Sequence, residues 1–189
     1  MRPMRTRAFI AGVGVFLAAV AAAAPPPPAR EKFPDIQLTD LSGQGVELRN
    51  ALGTATIIDF WATWCGPCRL ELPELQKLSN EFGAKGLVVL AVDVDLPPAP
   101  EDVGVGGQLT VMKPRIEGFF KANGLTLPVF LLDGPTQAML GINQIPLSVL
   151  LDRGGNVVRV YPGFSAASMA DLRRELNGLL AERSGKGGK

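Results

Sequence analysis

Two short apolar runs organise the middle of the chain. Ala55-Thr56-Ile57-Ile58-Asp59-Phe60-Trp61 and Leu87-Val88-Val89-Leu90-Ala91-Val92 contain no glycine or proline, and they predict strands buried on both faces, as a parallel sheet requires. Between them Leu72, Leu75, Leu78 and Phe82 recur at three- and four-residue spacing, the stripe of an amphipathic helix. Strand, helix and strand then make a right-handed crossover unit. Upstream, Ile36-Gln37-Leu38 and Val46-Glu47-Leu48 alternate around Ser42-Gly43-Gln44-Gly45 and predict an N-terminal hairpin. Downstream, Pro97-Pro98-Ala99-Pro100 with Gly104, Gly106 and Gly107 predicts a loop. Ile116, Phe119 and Phe120 carry a helix that stops near Asn123-Gly124, and Val129-Phe130-Leu131-Leu132 is a further strand closed by Asp133-Gly134-Pro135. Leu147 to Leu151 and Val157 to Tyr161 flank Asp152-Arg153-Gly154-Gly155-Asn156, the pattern of an antiparallel hairpin that Pro162-Gly163 ends. Ser165 or Ser168 then caps a final helix with Met169, Leu172, Leu176 and Leu179 on its apolar stripe. The sum is an α/β domain with a central mixed sheet and helices on both faces.

The two ends of the 189-residue chain read differently from this middle. Arg2, Arg5 and Arg7 precede an uncharged run from Ala8 to Ala24 that ends in small residues, the layout of a secretory signal over 1–24. Cleavage after Ala23 or Ala24 gives an exported protein; an uncleaved run of 17 apolar residues gives a short N-terminal anchor. Both leave the arginines cytoplasmic and the rest outside. Pro25-Pro26-Pro27-Pro28 reads as a stiff spacer over 25–32, and the polar, glycine-rich residues 182–189 read as a disordered tail. Residues 33–181 are then one domain. A net charge of +1 gives no electrostatic reason to expect nucleic acid as a partner.

Chemistry concentrates in Trp61-Ala62-Thr63-Trp64-Cys65-Gly66-Pro67-Cys68, which holds the only two cysteines. A structural zinc site needs about four Cys or His ligands, and this chain has two cysteines and no histidine. Haem attachment needs His after the second Cys, where Arg69 stands. No metal or cofactor is expected. A structural staple remains as an alternative, but closing a loop of about four residues contributes only roughly 2 kcal/mol in the chain-entropy picture. Redox exchange fits better, because the pair sits where a strand hands over to a helix N-terminus, whose free amides and dipole favour a thiolate.

These residues resemble the thioredoxin superfamily and, within it, the exported TlpA/ResA-like thiol-disulfide oxidoreductases, over about Phe33 to Leu180. The resemblance rests on Phe60 to Pro73, with Pro73 where thioredoxins kink the active-site helix, and on Ile145-Pro146 before a strand. It implies a thioredoxin-like fold with an added N-terminal hairpin and a central insertion from Asp93 to Gln144. It also implies roles: Cys65 as the exposed attacking nucleophile and Cys68 as the resolving thiol; Asp59 as a buried acid and Glu71 as an active-site glutamate, both moving protons to or from Cys68; and Pro146 in a cis bond beside the cysteines. Trp64, Gly66, Pro67, Ile145 and Pro146 would then face the substrate, while Trp61 and Trp64 read more as packing and shielding groups than as specific ligand contacts. Two departures stand out. Leu147-Ser148 follows the proline where relatives often have threonine, and Asp59 resembles thioredoxin proper.

Gly66-Pro67 resembles the dipeptide of reducing thioredoxins, whereas the oxidising DsbA carries histidine between its cysteines. The gap of roughly 150 mV between those two proteins is about 7 kcal/mol for a two-electron couple, so the dipeptide points to a reductase or exchange protein. The resemblance implies cysteine-containing exported substrates, apocytochrome c among them, and a membrane thiol electron donor of the DsbD or CcdA type. A peroxide-reducing enzyme on the same fold is an alternative, but its Pro-x-x-x-Thr-x-x-Cys setting is absent. A non-catalytic binding or holdase module is another, and it would act without either cysteine.

Overall fold

The computed structural model describes residues 30–95 and 105–185. Its strands are β1 (Gln37–Asp40), β2 (Gly45–Glu47), β3 (Ala55–Trp61), β4 (Leu87–Asp93), β5 (Val129–Leu131), β6 (Leu147–Asp152) and β7 (Val157–Pro162). The helices are α1 (Gly66–Phe82), α2 (Val105–Ala122), α3 (Gly134–Met139) and α4 (Ala166–Gly185). One mixed sheet runs in the order β2-β1-β5-β4-β3-β6-β7, with β3, β4 and β5 parallel and the other pairings antiparallel. The hairpins and the crossover unit expected from the sequence are in place.

β3 lies at the centre with all seven residues buried, and its alternating side chains feed two cores. Ile57 and Trp61 join Leu72, Leu75, Leu78 and Phe82 of α1, Met112, Ile116 and Phe120 of α2, and Leu172 and Leu176 of α4. Ile58 and Phe60 face a second cluster with Leu90, Val92, Phe130 and Val149. Helices thus lie on both faces, as expected, but unequally: the three long ones share one face and the short α3 lies against the other. Right-handed crossovers explain it for α1 and α2: β3, β4 and β5 advance in one direction, so both connections fall on the same side. The second face is covered by Ile36, Leu38 and Leu48, with Leu140 at the end of α3 packed against it.

Four local expectations change. Gly106 and Gly107 belong to the first turn of α2, not to a loop, while residues 97–100 and Gly104 lie outside the described residues. Asp133-Gly134-Pro135 starts α3: Asp133 Oδ1 accepts the Thr136 N–H at 2.7 Å and proline occupies the first turn, an N-terminal signature rather than a simple turn. Of the two candidate caps, Ser165 Oγ accepts the Ser168 N–H at 3.0 Å, and α4 runs to Gly185, into the segment expected to be disordered. Ordered pairing also begins inside the expected spacer, where Glu31 O accepts the Val157 N–H at 2.7 Å and Lys32 bridges Asn156. The expected signal or anchor over 1–24 lies outside the described residues, and among the described residues no helix is long and apolar enough to cross a membrane.

Candidate active site

β3 ends at Trp61, and four residues later Cys65 is the N-cap of α1. Pro67 suits the first helical turn, where an N–H has no intrahelical partner to lose. Cys65 Sγ takes the usual place of a cap oxygen and accepts the Cys68 N–H at 3.2 Å. Cys65 and Cys68 form a disulfide with their Cα atoms 5.3 Å apart. Pro73 lies inside α1, as expected. Gly66 and Pro67 are exposed, and a Cβ at Gly66 would meet no atom within 4 Å, so the surface above the disulfide is open there.

Cys65 was expected to be exposed, and the structure corrects this: it is 4% exposed against 0% for Cys68. Its sulfur is turned down onto the helix N-terminus by the disulfide and the cap bond. What exposure the pair retains still belongs to Cys65. Beside it Trp64 is 70% exposed, whereas Trp61 is fully buried against Phe119 and Phe120, each with its ring centroid 5.5 Å away. The Ile145-Pro146 bond is cis, with Pro146 buried and half-buried Ile145 packed against the cluster that contains both cysteines.

Asp59 and Glu71 come together beneath this surface. Asp59 shares its strand face with Ile57 and Trp61, and Glu71 lies one turn beyond Cys68 on α1. The antiparallel register of β3 and β6 sets Ser148 opposite Asp59. Ser148 Oγ is 3.0 Å from Asp59 Oδ1 and 2.9 Å from Glu71 Oε1. Burial pushes the Asp59 carboxyl well above the ordinary carboxylate range, the nearby Glu71 charge adds to this, and the Ser148 hydrogen bond opposes it. Burial likewise raises Glu71 to about 7, against the lowering effect of Ser148. Both carboxyls are therefore shifted toward the protonated form, which burial favours over the charged one.

A second acidic group escaped the sequence reading. Asp95 Oδ2 accepts from Thr63 Oγ1 at 2.5 Å and Asp95 Oδ1 accepts from Trp64 Nε1 at 2.7 Å, so this carboxylate holds the segment leading into Cys65. Asp93 is paired with Trp61 across β3 and β4, and its Oδ1 accepts the Asp95 N–H at 3.0 Å. Burial raises Asp93 to about 7, opposed by that N–H. The available signal was an acid ending an apolar strand, since sites in α/β sheets gather at the carboxyl ends of strands. Among the described residues no group of three or more His, Cys, Asp or Glu could hold a metal ion.

A model of the AhpC/TSA family matches residues 29–175. Thiol-disulfide oxidoreductase ResA of Halalkalibacterium halodurans is 30% identical over 149 residues, which cover 78% of this chain and 76% of that protein. Thioredoxin-like protein YneN of Bacillus subtilis is 29% identical over 147 residues, 78% of this chain and 79% of that one. Among solved structures, a Chlorobium tepidum protein described as thiol:disulfide interchange protein DsbE superposes with a TM-score of 0.64 at 30% identity, covering 80% of this chain and 96% of that one. Sequence, fold and these relatives agree: the chain belongs to the AhpC/TSA family and is a thioredoxin-like thiol-disulfide oxidoreductase of the ResA type.

Proposed function

We propose that the protein is an exported reductase or exchange protein that acts on protein disulfides through Cys65 and Cys68. The observation that carries this reading is the Cys65–Cys68 disulfide capping α1 at an open surface. In the reduced protein, the Cys68 N–H and the helix dipole stabilise Cys65 as a thiolate. Its attack on a substrate disulfide forms a mixed disulfide and releases the first substrate sulfur. Cys68 then gives its proton to the acid pair of Asp59 and Glu71 and attacks Cys65 Sγ, which reforms the internal disulfide and releases the second sulfur. Trp64, Gly66, Pro67, Ile145 and Pro146 frame the surface on which the substrate chain lies.

The substrates are cysteine-containing exported proteins, with apocytochrome c in cytochrome c maturation as one such target. A reductant outside the cytoplasm needs an electron supply, which a membrane thiol donor of the DsbD or CcdA type provides. Export rests on the signal-like residues 1–24, acting either as a cleaved leader or as a tether. The direction of electron flow rests on Gly66-Pro67 without histidine. Equilibration with glutathione tests it: the Cys65/Cys68 couple is expected near the roughly −270 mV of thioredoxin, and a value near the roughly −120 mV of DsbA overturns the assignment as a reductase.

A further inference from the structure

We propose that Ser148 is the positioning residue that joins Asp59 and Glu71 into one proton-holding unit, in which a carboxyl proton stays with the pair and passes between the two acids through the Ser148 hydroxyl. This rests on the reading above that both acids exchange protons with Cys68.

Ser148 Oγ lies within hydrogen-bond distance of a carboxyl oxygen on each side, 3.0 Å to Asp59 and 2.9 Å to Glu71, yet a serine hydroxyl carries one hydrogen. It donates to one acid. For the other contact to be a full hydrogen bond, that acid must be protonated and donate to the serine oxygen. The alternative is two anions sharing one hydroxyl hydrogen inside a site where Asp59 is 0% exposed and Glu71 2%. The second oxygens, Asp59 Oδ2 and Glu71 Oε2, are buried and find no protein partner among the described residues. Two uncompensated charges there would be far costlier than one retained proton.

No neighbouring element relieves the pair. Beside Asp59 in the sheet stand Ala91 of β4 and Ser148 of β6. From α1 come Glu71 itself, the disulfide-bonded Cys68 and apolar Leu72; α4 contributes Leu172 and Leu176 to the same core. The charge acting on Asp59 is that of Glu71, and no basic side chain among the described residues offsets either acid. Serine at position 148 therefore has a reason that a substrate contact does not supply: it points inward, into the acid pair. The unit fits the resolving step. As Cys68 attacks Cys65 Sγ, its thiol proton enters the carboxylate that is free; the pair then gives up one proton, taken through solvent by the departing substrate sulfur, and so returns to the single proton it began with, while the two cysteines lose two electrons and the substrate disulfide gains them.

Carbon-13 NMR of carboxyl-labelled Asp and Glu, followed with pH in the oxidised protein, tests this without any substrate. The expected result is that the Asp59 and Glu71 carboxyl carbons both move in each titration step, because interacting sites titrate as a pair. Ser148→Ala is expected to separate them, one carbon per step, and Ser148→Thr, which keeps the hydroxyl, to restore the shared response. Ser148→Ala should also slow disulfide closure by about tenfold and displace its pH profile, as expected for partial loss of a general acid-base device. Independent titration in the unmodified protein, or both carboxyls ionised at neutral pH, overturns the proposal whatever the variants do. Because the resting protein is observed, that outcome leaves the reductase reading standing, and loss of the reductase reading leaves the titration result intact.

Discussion

Cys65→Ser is expected to abolish disulfide exchange, reducing turnover to background, while the protein keeps its fold. Two features make the effect large on one side and small on the other. Cys65 carries the residual exposure of the pair and sits at the N-terminus of α1, so it is the sulfur a substrate can reach and the one most stabilised as a thiolate. Serine is itself a favoured N-cap, so its oxygen can accept the Cys68 N–H in place of sulfur. The stability lost with the four-residue disulfide loop is then only roughly 2 kcal/mol. Assay of insulin reduction with a dithiol donor, beside a circular dichroism spectrum, checks both halves. Retained turnover in a folded Cys65→Ser variant would falsify the role given to Cys65.

The second large effect concerns stability against pH. Glu71 ionises near 7 in the folded protein, and near 4.5 in a chain where it meets water. Between those values the folded state holds a proton that the unfolded state has released. Stability must therefore fall as pH rises through this window, being fully present below about 4.5 and lost above about 7. The loss is on the order of 3 kcal/mol. Asp93, raised in the same direction by burial, adds to the slope, so the informative quantity is the difference between wild type and Glu71→Gln. The amide keeps the shape and can still bond Ser148, but it does not titrate. Urea unfolding of both oxidised proteins from pH 4 to pH 8 is expected to give a shallower profile for Glu71→Gln and a gain that grows toward alkaline pH. Parallel profiles would return Glu71 to a carboxyl that water reaches.

The sequence revealed those parts of the molecule whose physics is local. β3 and β4 were legible because strands buried on both faces leave unbroken apolar runs, and the β6–β7 hairpin because its turn residues lie between two such runs. The start of α2 was not. Two glycines argue for a loop by propensity, yet the helix is held by Met112, Ile116 and Phe120 packed into the core further along. α3 hid behind an Asp-Gly-Pro that signals a turn and a helix start equally well.

The site divides the same way. Cys65 and Cys68 are marked by spacing, and Asp59 stands out as an acid in an apolar strand. The partner that unites Asp59 with Glu71 is set only by the pairing of β3 with β6, 89 residues apart in sequence at Ser148. Asp95 reaches back 31 residues to Trp64, and nothing in the local pattern announces it. Long-range register decides such contacts, and one sequence read alone does not contain it.

On the proposed reading, this chain forms and resolves mixed disulfides with exported proteins through two cysteines of unequal role. Trapping with Cys68→Ser in cells tests it most directly, because without the resolving thiol the adduct on Cys65 persists. The expected result is covalent adducts with cysteine-containing exported proteins and with the outward face of a membrane thiol donor, released by reductant and absent from the Cys65→Ser/Cys68→Ser variant. A Cys68→Ser protein that captures nothing above the double variant, in cells grown under several respiratory conditions, contradicts it.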